Sequence, residues 1–516
     1  MARSTSARNS NASIIQSTNY EKDVESQKDV EKQADAADAL ETLTNREALR
    51  DPNVVDWDGL DDPANPMNWP LSRKVAVIGI VSFITLLSPL ASTMISPATA
   101  GVMAAFHSNN ATLGAFVTSV YLLGYAFGPL VIAPLSELYG RAVMYNVNNV
   151  IFLIFSIACA VASNMGALIV FRLFAGIAAS CPITLGAGTI ADMIPHERRG
   201  LAMALWIMGP LVGPTFAPLA GGYLAAAAGW RWIFWLITIV AGVACIVTAL
   251  FMRESYAYVI LQCKTKRLQK ETGNPHLRSA LDKGIHPKQL FRTTIVRPLR
   301  MLVLSPIIFV VSLETATGYG YMYLLFTTFP RIFEGQYGFL EKSVGLTYLG
   351  VGIGSFVGLF FTGAFSDRVV AALTKRNGGK PEPEYRLPAM LIGSLLLPIG
   401  LFIYAWTAEE KVHWIAPIIG TAVLGGGIFM IFMPGLSYLV DAYTVYAASV
   451  SAASTVFRSL LGALLPLVGD SMYDSLGVGW GSSLLGFIAV AFIPVPVILW
   501  FYGERIRESR FSKAQF

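Results

Sequence analysis

The sequence predicts an all-α membrane protein whose twelve transmembrane helices form two six-helix pseudo-symmetric halves, and three observations predict it. The 516 residues are 54% hydrophobic and only 14% charged, too apolar for a soluble chain of several domains. Apolar runs long enough to cross a bilayer, about 20 residues each, recur at 75–98, 113–136, 142–162, 166–190, 201–226, 232–252, 301–326, 344–366, 387–407, 413–438, 446–470 and 480–502. The longest interior polar stretch, 253–300, falls between the sixth and seventh runs.

The organisation emerges in chain order. Residues 1–72 are polar, with the mixed-charge stretch "NYEKDVESQKDVEKQADAADALE", and read as a disordered cytoplasmic tail with no cleavable signal peptide. The first half is 73–252, the cytoplasmic linker 253–300, the second half 301–503, and 504–516 a second cytoplasmic tail. Lys and Arg set the orientation. Arg73, Lys74, Arg141, Arg198, Arg199, the basic stretch 253–300, Arg368, Lys375, Arg376, Lys380 and Arg386 fall on one side, against Arg231, Arg331, Lys342 and Lys411 on the other. The basic side is expected to be cytoplasmic and to hold both termini. The pI near 8.9 records this asymmetry and calls for no nucleic acid. Four cysteines, three of them in spans, make no disulfide or metal framework. "NAT" at Asn110 matches the glycosylation acceptor tripeptide in the first outer connection.

The fifth span carries "GPLVGPTFAPLAGG". Each proline in a helix interior costs about 3 kcal/mol in water, but in a bilayer neighbouring helices and hydroxyls satisfy the freed carbonyls, here those of Trp206, Pro210 and Pro214. A four-residue step advances a helix about 40° past a full turn, so Gly209, Gly213 and Gly221 form one stripe, with Pro210, Pro214 and Pro218 beside it. Gly350, Gly354 and Gly358 repeat the step in the eighth span. Small residues let membrane helices approach closely, so the fifth and eighth spans are expected to form a seam between halves, with axes near or below about 8 Å apart.

A shorter echo marks internal duplication: "APLSELYGR" ends the second span and "GAFSDRVVA" the eighth, so that Ser136–Glu137 matches Ser366–Asp367. With "NPMNWP" before the first span come "FRLFAGIAAS", "ADMIPHERRG", the glycine–proline run, "GWRWIFW", "YLLFTTFP", "YLVDAY", "FRSLLGALLPL" and "LGVGWG" in order from residue 65 to 481. In these the chain resembles the major facilitator superfamily, and within it the fungal drug:proton antiporters of twelve spans. Ala133 departs from the usual glycine of the acid-loop motif, and the first span holds no carboxylate. The resemblance implies an alternating-access carrier with a central cavity between the halves, exporting amphipathic organic molecules in exchange for protons. It also names the fifth-span run the antiporter motif; ordinary helix packing is the alternative.

The remaining candidates concern the transport path. Glu137, Arg141 and Asp192, with Asp367, Arg368 and Asp441 in the second half, are expected at the cytoplasmic mouth as gate ion pairs, or as loop charges that only fix topology. Arg172, Glu314 and Arg458 are the full charges deep in spans, which marks them for proton coupling or substrate; a buried pair that orients helices is the structural alternative. Glu314, eleven residues into the expected seventh span, is placed near the midplane with Arg458 or Arg172 as partner. Of Tyr319, Tyr321 and Tyr323, which carry an apolar face and a polar tip, Tyr319 and Tyr323 are assigned to the cavity. No phosphate loop, HExxH or nucleophile constellation points to an enzyme. The expected partners are a small organic substrate, protons and lipid, with no cofactor, no metal and a monomeric chain in the plasma membrane or, alternatively, the vacuolar membrane. A facilitator or importer of a polyamine or nutrient, and a non-transporting sensor, are the rival functions.

Overall fold

The computed structural model describes residues 53–59, 61–195, 198–282 and 287–508; residues 1–52 and 509–516 of the expected tails lie outside the described residues. The chain divides into two units. In the smaller, which takes in Leu261–Asp282 and the described residues up to Asp56, β1 (Val54–Val55) runs parallel to β2 (Arg278–Ser279), with Val54 opposite Arg278.

The larger unit, Trp57–Ile260 with Lys283–Phe516, is helical. The stretch before the first span, expected as solvated tail, holds structure here: the buried Asp62 side chain accepts from the amides of Asp58 and Ala64, and Trp69 is buried. The first span is α1 (Leu71–Thr93), which breaks and resumes through a 3₁₀ turn, Ser96–Ala98, into α2 (Thr99–Ala105). The next five are α3 (Ala111–Tyr139), α4 (Arg141–Ala160), α5 (Met165–Met193), α6 (Gly200–Ala228) and α7 (Arg231–Phe251). The expected linker contains α8 (Ala257–Thr272) and α9 (Pro287–Leu304).

The seventh span is α10 (Pro306–Gly335), bent 93° from the end of α9. Residues 301–304, expected inside that span, therefore belong to α9. Ser305 caps the new helix, its hydroxyl accepting from the Ile308 amide, and Pro306 stands at the first helical position, where a proline loses no hydrogen bond. Then come α11 (Glu341–Arg376), α12 (Leu387–Glu409), α13 (Ile415–Ala442), α14 (Ala447–Leu464), α15 (Pro466–Phe492) and α16 (Pro494–Glu508). Among the described residues, eleven helical segments are long and apolar enough to cross a membrane, and the bent α9–α10 pair supplies the twelfth.

Two reversals use glycine in the left-handed region, where side chains are strained. Gly140 (φ 96°) turns α3 directly into α4, and Gly477 (φ 75°) reverses the chain inside α15, so its first part extends the eleventh span and its second begins the twelfth. Two seams join the halves: α6 runs along α11, and α3 runs along α14 and α15. Since the second and eighth spans are repeats of each other, these contacts are related by the pseudo-symmetry. The end where α1 begins, with most of the Lys and Arg, is called the basic end below.

Candidate functional site

The break in the first span organises the junction of the halves. Where α1 stops at Thr93, the carbonyls of its last turn lose their amide partners. Irregular backbone at membrane depth persists only where protein satisfies it, and Arg172 of α5 does so, donating to the carbonyls of Ser92 (2.8 Å), Ala91 (3.4 Å) and Thr118 (3.5 Å). The guanidinium is 1% exposed and faces the rings of Tyr121 and Phe234. Arg172 thus caps the broken helix inside its own half.

The capped end reaches across to the second half. Pro330 has no amide hydrogen, so the carbonyl of Phe326, four residues earlier on α10, lacks its helical partner. It accepts instead from Ser96 Oγ (2.5 Å), just past the break, and from Tyr348 Oη on α11 (2.7 Å). Ser92 Oγ lies 2.9 Å from Tyr323 Oη. The bonds of Ser96 and Ser92 cross between the halves, that of Tyr348 to Phe326 stays within the second, and all lie toward the end opposite the basic one. Ser92, Ser96 and Tyr348 were not expected in the site; the signal for Ser96 and Tyr348 was Pro330, which frees the Phe326 carbonyl.

Farther toward the basic end stands Arg458 on α14, its guanidinium carbon 4.9 Å from the ring of Tyr319 on α10 and 4.6 Å from that of Phe432 on α13. The rings of Tyr319 and Tyr323 meet in turn at a tilt of 47°, with centroids 5.1 Å apart. Tyr319 is half-buried and Tyr323 fully buried, so of the two expected cavity tyrosines Tyr323 is committed to the closed junction. Tyr321 turns into the second half and donates to the Leu485 carbonyl.

Glu314 sits apart from both arginines. It is the ninth residue of α10, about 12 Å along the helix, nearer the basic end than the expected midplane position. Its side chain is 1% exposed, Oε1 accepts from Ser394 Oγ of α12 (2.5 Å), and Oε2 has no partner among the described residues. The expected pairing with Arg458 or Arg172 is absent. Glu314 looks to α12, Arg172 to α1 and Arg458 to the Tyr319–Phe432 pair, three different azimuths that sequence position alone does not fix.

At the basic end the ion pairs stay within each half. Arg141 meets Asp192 (3.3 Å) and donates to Ser136 Oγ (2.6 Å). Arg386 meets Asp441 (3.1 Å) and Asp367 (3.5 Å). Arg386 precedes the ninth span as Arg141 precedes the third, so it is the second-half counterpart of Arg141; Arg368, expected in that role, is exposed and carries no ion pair among the described residues. Glu137 likewise has none among them. An unexpected residue, Glu254, accepts from the amides of Arg141 (2.9 Å) and Ala142 (3.1 Å), fastening the start of α4 to the segment after α7 with a carboxylate at the favourable end of the helix dipole.

The glycine stripes lie inside the halves, which corrects the faces expected for the seam. Gly209, Gly213 and Gly221 abut Leu86, Leu90 and Met94 of the first span, while Gly350, Gly354 and Gly358 abut Ile418, Ala422 and Gly426 of α13. The contact of α6 with α11 uses Gly352 against Thr215, and Gly345 against the carbonyl of Pro218 and the backbone of Leu219. Residues two apart point about 200° apart on a helix, so Gly352 and the stripe from Gly350 face opposite sides. Pro214 and Pro218 are buried and Pro210 half-buried. Asn110 is exposed and caps α3, accepting from the Leu113 amide at 3.2 Å.

A family model, the Major Facilitator Superfamily, matches residues 81–466. The chain belongs to the major facilitator superfamily. As a multi-pass membrane transporter of that superfamily it is 57% identical over 463 residues to the MFS-type transporter penM of Penicillium rubens, covering 90% of this chain and 91% of that protein. To the efflux pump radE of Floropilus chiversii it is 50% identical over 470 residues, covering 91% and 87%. Among solved structures it is similar in fold to the xylose transporter XylE of E. coli, with TM-score 0.62 and 16% identity over 84% of this chain and 98% of that one. A D-xylose-proton symporter gives TM-score 0.63 at 15% identity, over 83% and 97%. Members of the superfamily bind small substrates, and this transporter shares their twelve-span fold in two halves.

Proposed function

We propose that the transporter exports amphipathic organic molecules by proton antiport and alternating access, as a monomer in the plasma membrane with its basic end and both termini in the cytoplasm. The observation that carries the reading is Glu314, an enclosed carboxyl group with one oxygen held by Ser394 and the other without a donor. A transported proton supplies that donor. Such an acid in a span is a relay candidate, and among the described residues no other carboxylate lies comparably deep in a span. The efflux-pump relative supports export, and the excess of Lys and Arg at one end supports the orientation. In this conformation the cross-half bonds close the outer end. The ion pairs of the cytoplasmic end stay within halves, where they hold helix ends in register and stand ready to re-pair across the mouth in the opposite state.

The test is Glu314→Gln in proteoliposomes, scored for accumulation of a fluorescent amphiphile with and without an imposed pH gradient. The expected result is loss of gradient-driven accumulation with substrate exchange retained. A variant that still concentrates the amphiphile with normal pH dependence refutes the coupling role. Wild-type protein that only equilibrates the amphiphile, indifferent to pH, identifies a facilitator instead.

A further inference from the structure

Arg458 is the charge in the spans that the fold leaves open. No hydrogen bond or ion pair reaches it among the described residues, and of its three nitrogens only Nε is both enclosed and without a partner. The two terminal nitrogens, equally without partners, therefore keep access to open space. Arg172 differs in kind, since its terminal nitrogens are bonded to three carbonyls. Glu314, the deep acid that could neutralise Arg458, is turned to Ser394.

The surroundings of Arg458 belong to both halves. Tyr319 and Phe432 lie over the guanidinium, and α14, which carries Arg458, runs along α3 of the first half. One turn along α14, Gly462 touches both Leu122 of α3 and Tyr319. The group thus stands at the junction a substrate of an alternating-access carrier must pass. A bare cation in a bilayer interior is costly and is kept where it has work to do. Guanidinium held by aromatic faces keeps its edge free, and that edge matches a carboxylate through two parallel N–H donors.

We propose that Arg458 is the recognition group of the substrate site, and that the site takes amphipathic molecules bearing a planar oxyanion, a carboxylate or an ionised enol or phenol, with the apolar body laid against Tyr319 and Phe432. This deepens the export reading and rests on it. It also assigns different jobs to the two deep charges on the path: Arg458 holds substrate, and Glu314, out of its reach, carries the proton.

The experiment uses the full-length protein and three naphthalene probes alike except for a carboxylate, a methyl ester or a primary amine. Binding is read by naphthalene fluorescence in detergent and transport in proteoliposomes. The carboxylate is expected to bind at least about tenfold more tightly than the ester or the amine, as charge-assisted hydrogen bonds in a partly enclosed site require. Arg458→Gln removes that preference, so that the carboxylate binds no more tightly than the ester, while Arg458→Lys, which keeps the charge but not the fork, retains part of it. Equal or weaker binding of the carboxylate by the wild type, or an unchanged preference in Arg458→Gln, overturns the proposal. The wild-type comparison decides even if the variants fold poorly. Transport of the ester or amine in place of the acid overturns this inference alone, whereas no movement of any of the three overturns the export reading as well.

Discussion

Removing the two hydroxyls that meet the Phe326 carbonyl should open the end opposite the basic one. In Ser96→Ala/Tyr348→Phe that acceptor, which Pro330 has already deprived of its helical amide, loses both donors, at 2.5 and 2.7 Å. Each hydrogen bond contributes about 1 kcal/mol net, and a buried acceptor left unsatisfied costs about 1–3 kcal/mol. Closure should thus be weakened by about 2–3 kcal/mol, a shift of roughly 30- to 150-fold in the open-to-closed ratio. Spin labels at the ends of α3 and α11 on that side, measured by pulsed electron resonance, read the populations directly. Pro330→Ala provides the internal control: an amide at position 330 can bond the Phe326 carbonyl within α10, so adding it to the double variant should restore its acceptor without restoring the bridge. The Pro330 change alone should weaken closure, because the helix then competes for the carbonyl. If the distance distribution of the double variant matches the wild type, the Phe326 bridge does not hold the halves together.

Two further outcomes test the packing. Gly354→Ala sets a methyl group against the backbone of Ala422, where Gly363→Ala on the same helix meets open space; the first should cost about 1–3 kcal/mol by overpacking and lower the unfolding temperature in detergent, while the second is neutral or slightly stabilising. Arg172→Met leaves the Ala91 and Ser92 carbonyls without donors and should destabilise by about 2–4 kcal/mol, with Arg172→Lys recovering part; equal thermal stability of Arg172→Met and wild type would remove the capping role.

The apolar runs of the sequence carried the number and order of the spans, because each must cross the same thickness of hydrocarbon. They misplaced the start of the seventh because "MLVL" at 301–304 is as apolar as the residues after Pro306, and hydropathy does not register a 93° bend. The Ser305–Pro306 pair, a cap joined to a first-turn proline, was the local signal for it. The glycine stripes correctly announced close approach, but a glycine specifies how near a neighbour comes and not which neighbour comes; Gly350 and Gly352 answer to different halves although they are two residues apart. The deep charges were legible as unusual residues, yet opposite signs in one membrane suggested a pair. Separation of Glu314 from Arg458 depends on the rotation of α10 and α14 about their axes, which is set by tertiary packing. Arg386 was counted only as a basic-side charge, and Glu254 was not singled out because its partners, the amides of Arg141 and Ala142, are backbone groups 113 and 112 residues away that no side-chain pattern marks. The echo that linked Glu137 to Asp367 stopped at the end of the eighth span, short of Arg386.

On the proposed reading, a guanidinium with no ion pair among the described residues would give the transport cycle an electrical sign. On the proposed cycle, a substrate held by Arg458 as an anion would leave the cell with its negative charge and the proton returning through Glu314 would bring a positive one in, so each turnover would move two elementary charges in the direction that an inside-negative potential favours. At about 2.3 kcal/mol per charge for each 100 mV, the potential contributes about 4.6 kcal/mol per cycle, enough by itself to sustain a gradient of more than about a thousandfold. Such a carrier would run on voltage as well as on acidity, and a cell that depolarises would keep only the part of the export drive that its pH gradient supplies.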